Sequence, residues 1–560
     1  MPAAPAPARA PRHLALALLP LTLLARPAAA QRLGEGLEAV ADRVFAAWNR
    51  ADAPGCQLGV ARGGETLLLQ GYGMADLEGG RAIDGSTIFE SGSVAKQFTA
   101  SAIVLLALEG KLSLDDDVRR WIPELPAYDA PITIRHLLNH TSGLREWSNL
   151  VAVQGWPRGR RAHRQAELLA VVTAQRALNY PVGTTYSYTN SGFALLPTIV
   201  ERMTGQSFTA FSQARLFGPL GLTDTRWRDD LTTIVPRRAP AYAPRGRGWR
   251  LEMPFEDVHG PGGLLTTARD WLRWNAALDA KTLGVAWADT LIHRSRVNSG
   301  REIRYALGLT VDRFRGTPEW SHSGSTGGYS TFLARYPALG RLSVAVLCNA
   351  ASANPTALTR ALVAALHPEL PAPVAPDTVP LDAATVAPLA GWWRSLGPRT
   401  AVRLVQEGGR PTFGGAPLRG RRGGGWLVGE AQLLVAPGEP ADRPQRLLRI
   451  GVEADTTAFE RMPDAMAGDA ALTAIAGRYR NDEVDMTYVV RVAEGRLRLS
   501  VRPGLEITLE PTYRDGFTAA TLGDLFVTRD ARGRVRTLHV ASQRLWDLVF
   551  TRLPGGPGTP

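Results

Sequence analysis

The chain has 560 residues, more than one hydrophobic core normally accommodates, so several domains are expected. Hydrophobic residues make up 45% and charged residues 21%, which excludes a disordered or fibrous chain. A formal charge of +12 raises the question of an anionic partner, yet the arginines are dispersed. The short clusters (Arg158, Arg160 and Arg161; Arg237 to Arg250; Arg419 to Arg422) lack aromatic interleaving and any nucleic-acid motif. They read as solvated surface, and no nucleic-acid partner is expected.

Residues 1–30 read as an export signal. Arg9 and Arg12 precede the apolar run "LALALLPLTLLA", and "AAA" at 28–30 offers a cleavage site. Twelve residues are too few to span a bilayer, so no stable membrane anchor is expected. The mature protein is expected to be exported, periplasmic or secreted.

Residues 31–367 form the first expected domain. A helix near 33–50 leads to two strands, "CQLGVAR" and "ETLLLQGYG", joined by a Gly-Gly turn. Next comes an almost wholly apolar helix over 94–109, which belongs at the centre of a fold. A helix- and loop-rich region follows from 113 to about 285. Residues 318–349 read as three strands, before a last helix near 354–366. The class is α/β: an antiparallel sheet flanked by helices, with an inserted, mostly helical region.

Residues 368–385 form a proline-rich linker. Beyond it the pattern changes to short alternating strands and glycine turns, giving two β domains over 386–464 and 470–555. They repeat one another: "LAGWWR" at 389 is answered by "IAGRYR" at 475, and "TAFERMP" at 457 by "LVFTRLP" at 548. Each should be a small antiparallel sandwich or barrel.

Cys56 and Cys348 are the only cysteines, far apart and without clustered histidines, so a metal site is not expected. Both lie in strand-like runs, and buried free thiols are the expectation. A disulfide is the alternative if the compartment is oxidising.

Three lysines stand among 64 basic residues, so the presence of one at position 96 is itself informative. An ammonium can lose its proton when buried, whereas a guanidinium effectively cannot. Ser93 lies three residues earlier, which puts its hydroxyl one turn away on the same face, at a helix start. A serine needs such a base to become a nucleophile. Alone, this pair reads as easily as a helix cap beside a surface lysine. Two further stretches change that: "YSYTNSG", with Tyr188 and Asn190, and "EWSHSGSTGG", with His322, Ser323 and Gly324.

S-x-x-K, Y-x-N and H-[ST]-G in this order resemble the serine β-lactamase-like family, which includes class C β-lactamases, D,D-peptidases, esterases and D-aminopeptidases. The resemblance covers about residues 35–367 and implies a β-lactamase/transpeptidase-like fold. It also implies roles. Ser93 would form an acyl-enzyme, with Lys96 and Tyr188 sharing proton transfer. Asn190 would hold Lys96 and the substrate. The backbone N–H groups of Ser93 and Ser325 would form the oxyanion hole, and His322, Ser323 and Gly324 would bind substrate. No metal or cofactor is implied, and the partner is a small-molecule or peptide substrate. Typical β-lactamases carry lysine where this chain has His322. A histidine neutral near pH 7 and charged below about 6.5 should weaken carboxylate capture, favouring peptidase or esterase work over β-lactam hydrolysis. Gly327 and Gly328 should let substrate backbone come close. The rival reading is a catalytically silent cell-wall peptide- or β-lactam-binding protein.

Overall fold

The computed structural model describes residue 1 and residues 28–555, except 408–409, 441, 443, 452–454, 466–468 and 503. Most of the expected export signal, residues 2–27, therefore lies outside the described residues. Among those described, no helix is long and apolar enough to cross a membrane.

The central sheet joins the two ends of the first domain. Strands β1 (Cys56–Arg62) and β2 (Glu65–Tyr72) pair with a C-terminal set. That set is β3 (Thr310–Phe314), β4 (Thr317–Thr326), β5 (Tyr329–Tyr336) and β6 (Leu342–Cys348). The order is β3-β4-β5-β6-β1-β2, with antiparallel neighbours throughout. β5 and β6 are buried along their whole length, as strands covered on both faces must be. Helices α1 (Ala28–Phe45) and α5 (Pro355–Leu366) cover one face, where Leu37, Phe45 and Leu362 join Leu58, Val60, Val344 and Val346 in one core. Helix α4 (Ala268–Ala280) covers the other face; Gly59 of β1 sits so close to Leu272 and Ala268 that an added Cβ would crowd them.

Helix α2 (Lys96–Leu108) runs through the middle and buries every residue from Lys96 to Leu106. This agrees with its all-round apolar sequence. Its start differs from the expected 94–109: Gly92–Ala95 is a 3₁₀ turn, and the α-helix begins at Lys96. Helix α3 (Asn190–Thr204), capped by the Thr189 hydroxyl, packs against it from the inserted helical region.

The cysteines depart from expectation. Cys56 and Cys348 are bonded to one another, and no free cysteine remains among the described residues. The reason is register: antiparallel pairing of β1 with β6 sets these two residues directly opposite each other, although 292 positions separate them.

Both C-terminal units are eight-stranded antiparallel barrels. The first runs from Gly391–Ser395 to Thr456–Met462 and closes through Ala416–Arg421 pairing with Trp426–Val428; Thr378–Val379 of the proline-rich segment adds a short edge strand. The second runs from Gly477–Asn481 to Leu545–Arg552. The repeated motifs do the same work in each. Trp393 Nε1 donates to Leu389 O at 2.8 Å, and the Tyr479 hydroxyl donates to Ile475 O at 2.5 Å. Arg461 lies over the Trp393 ring and donates to Pro388 and Ala390 carbonyls; Arg552 lies over Tyr479 and donates to Ala474 and Ala476. Apolar side chains of the second barrel join the main core of the first domain, and the Tyr488 hydroxyl donates to Val153 O at 2.7 Å.

Candidate active site

The turn bearing Ser93 is clamped before the helix begins. Ser91 N–H donates to Leu264 O at 2.8 Å, while Ser91 O accepts from the Thr331 hydroxyl at 2.7 Å. Gly92 has φ 52°, a conformation that suits glycine, and a Cβ there would lie 2.4 Å from Ser325 N. On the strand side, a Cβ on Gly324 would lie 2.0 Å from Ser91 O. The serine turn and β4 are thus pressed together with no room for side chains. The β3–β4 ladder ends at Ser321, which leaves the β4 edge beyond it open at Ser325. Ser93 and Ser325 both line the cleft at this point.

Lys96 is fully buried, and its Nζ has three partners: Ser93 Oγ at 3.1 Å, Asn190 Oδ1 at 2.8 Å and Pro261 O at 2.8 Å. Burial holds its pKa well below the ordinary lysine value; nearby Glu146 opposes that shift, and Arg544 and Arg158 reinforce it. Two of the partners only accept, and the third is a hydroxyl that can donate. A neutral amine, with two N–H groups and one lone pair, satisfies all three.

Tyr188 stands beside the lysine, its ring centroid 4.9 Å from Nζ. Its hydroxyl is buried with no hydrogen-bond partner of good geometry among the described residues. Burial pushes the phenol pKa up, partly offset by the contact with Ser93. Asn190 is the first residue of α3. Glu146, itself buried, accepts from Asn190 N at 2.6 Å, Asn190 Nδ2 at 3.1 Å and the Thr189 hydroxyl at 2.9 Å. These contacts turn the Asn190 carbonyl oxygen toward Lys96.

His322 does not serve as a variable cation. Its Nδ1 lies 2.6 Å from Ser323 O, a contact that puts a proton on Nδ1, and its Nε2 lies 2.9 Å from the Tyr305 hydroxyl, which donates to it when the ring is neutral. Burial is the main cause that pushes its pKa down to about 3, so the expected protonation near pH 6.5 does not occur. Ser323 is exposed. Gly327 and Gly328 also differ from expectation: an added Cβ would strike Glu252 O and Tyr242 N, so their smallness admits the chain's own 241–254 segment. The cleft beside Ser93 is narrow, about 40 Å³, and is also lined by Asn190, Ser325, Trp147, Arg158 and Glu256. Larger concavities, such as the one lined by Arg135, Asp289 and His293, contain none of this chemistry. Among the described residues no group of His, Cys, Asp or Glu could hold a metal ion.

A nucleophilic serine, a deprotonatable buried lysine, a tyrosine and an asparagine now stand together, and a family model, Beta-lactamase, matches residues 40–369. The chain belongs to the Beta-lactamase family. It is a serine hydrolase acting by acyl transfer. Penicillin-binding protein 4* of Bacillus subtilis is 29% identical over 49% of this chain and 64% of its own length, so the match spans less than two thirds of that relative. A D-aminopeptidase of Gluconobacter oxydans is 28% identical over 78% of this chain and 81% of its own. An octameric penicillin-binding protein homologue from Pyrococcus abyssi superposes with a TM-score of 0.53 over 92% of this chain and 99% of its own, at 18% identity, which shows a shared fold.

Beyond the family motifs, sequence reasoning missed Glu146, Pro261, Arg158 and Arg544. Pro261 sits in "GPGG", where Gly260 and Gly263 both have positive φ; such a rigid turn was the available signal. Arg158 is held by Glu256 through Nε and Nη2, and its Nη2 also reaches Thr326 Oγ1 at 3.1 Å. Arg544 comes from the turn joining the last two strands of the second barrel, and its guanidinium lies 5.0 Å from the Tyr188 ring centroid. Nothing in the motif order pointed to it.

Proposed function

We propose that this Beta-lactamase-family chain is exported and hydrolyses an amide or ester of a small or peptide-like substrate through an acyl-enzyme on Ser93. The observation that carries this reading is the set of three partners around Lys96 Nζ. The neutral amine takes the Ser93 proton as Oγ attacks the carbonyl carbon. The carbonyl oxygen gains charge between the Ser93 and Ser325 amides. When the tetrahedral adduct collapses, the buried Tyr188 hydroxyl gives its proton to the leaving nitrogen or oxygen, and the Lys96 ammonium restores it. Water then attacks the acyl-enzyme by the same route, with Lys96 again accepting the proton.

Peptidase or esterase work is favoured over β-lactam hydrolysis because the strand position that carries lysine in typical β-lactamases is here a neutral imidazole, so a substrate carboxylate must find its cation on another element. The extensive match to a D-aminopeptidase supports the same direction. The Cys56–Cys348 disulfide suits an oxidising compartment, in keeping with an exported protein. Fluorophosphonate labelling followed by peptide mass spectrometry tests the nucleophile. The expected adduct is on Ser93, and Ser93→Ala should abolish both labelling and ester hydrolysis. A label elsewhere, or undiminished turnover by Ser93→Ala, would refute the reading.

A further inference from the structure

The second barrel reaches into the catalytic site through a single turn. Strands Val535–Ser542 and Leu545–Arg552 are joined at Gln543 and Arg544. The backbone of that turn is fixed to the first domain: Arg544 O accepts from Glu146 N at 3.1 Å and from Asn179 Nδ2 at 3.0 Å, and Trp546 N donates to Asn179 Oδ1 at 2.9 Å. Arg145 strengthens the joint through Glu483 at 2.7 Å and Asp547 O at 2.7 Å. The turn is therefore held by the same segment that orients Asn190.

From this fixed backbone the Arg544 side chain extends over Tyr188, with Cζ 5.0 Å from the ring centroid. The residue is exposed and its guanidinium has no ion pair among the described residues. Arg158, which lines the cleft itself, differs in that Glu256 already binds it bidentately and offsets its charge. Among the described residues Arg544 is therefore a cation beside Tyr188 without an ion pair, and it stands over the residue that protonates the leaving group. We propose that Arg544 is a specificity-determining residue that selects substrates carrying a carboxylate on the leaving group, as in a peptide or ester whose departing half ends in a free acid. The assignment rests on the acyl-transfer reading above, since Tyr188 marks the leaving-group side. It assigns carboxylate recognition to the second barrel, in place of the neutral His322.

A pair of aryl esters with one common acyl group tests this, one releasing phenol and the other 3-hydroxybenzoate. Both pass through the same acyl-enzyme, so deacylation and any general loss of activity cancel in the ratio of kcat/KM. The full-length wild type should prefer the benzoate ester by about tenfold at low salt, the scale of one charge-assisted contact. The preference should shrink as ionic strength rises, because Arg544 is exposed. Arg544→Ala should bring the ratio close to one, Arg544→Lys should retain part of it, and Arg544→Glu should push it below one. The turn is anchored through the backbone of residue 544, so these side-chain changes leave its attachment in place. A ratio unaltered by Arg544→Ala, or a wild type favouring the phenyl ester, overturns the assignment while the serine chemistry stands. Labelling of Ser93 tests that chemistry separately.

Discussion

Glu146 holds Asn190 at both ends: it accepts from the backbone amide at 2.6 Å and from the side-chain amide at 3.1 Å. The side-chain contact leaves only Oδ1 of Asn190 for Lys96, which donates to it at 2.8 Å. Glu146 does not touch Ser93 or Lys96 directly; it positions Asn190, which in turn holds Lys96.

Replacing Glu146 with Gln should therefore lower kcat/KM by about tenfold, the order of one charged hydrogen bond. It should also move the pH profile. Glu146 raises the Lys96 pKa against the lowering effect of burial, so its loss lets that pKa fall further. The limb of kcat/KM that reports deprotonation of the base should shift to lower pH. A loss of activity with an unmoved limb would mean a purely structural contact.

Lys96→Arg retains a basic side chain but makes it permanently cationic, removing the dissociable proton. Turnover should fall roughly 100-fold or more, the usual scale of positioned acid–base catalysis. A folded variant with near-normal turnover would show that the lysine is needed for charge alone.

His322 should make the fold sensitive to acid. Its pKa is pushed down to about 3 in the folded protein, below the ordinary value of 6.5. Between those values the unfolded chain binds a proton that the folded chain does not, so stability is full above about pH 6.5 and falls as the pH drops. By pH 5 the loss from this residue should be about 2 kcal/mol. Denaturant unfolding at pH 7 and pH 5 measures it, and His322→Asn should reduce the difference by that amount. His140, buried with its pKa also held down by burial, should contribute in the same direction.

Thiol titration of the denatured protein without reductant should find none, and two after reduction, because Cys56 and Cys348 are joined. Reduction should lower unfolding free energy by about 2–4 kcal/mol, as for other disulfides that close long loops. Two free thiols in the unreduced, denatured protein would contradict the pairing.

The sequence alone determined whatever is local or periodic. The three-residue spacing of Ser93 and Lys96 survives whether the turn is α or 3₁₀, because both structures return a side chain to the same face in about three residues. The almost wholly apolar run after Lys96 pointed to a central helix. The repeated "LAGWWR" and "IAGRYR" were legible because each motif carries its own contact, ring to carbonyl four residues earlier. Tertiary structure decided what depends on register and on chain crossing. Cys56 meets Cys348 only because β1 pairs with β6, and Lys96 meets Pro261 across 165 positions. The pKa of His322 follows from burial beside Tyr305, which residue type cannot reveal. Arg544 reaches Tyr188 from another domain, so no pattern within either domain contains the contact. Hydrophobic periodicity records which side of an element is buried; it does not record which distant element comes to cover it.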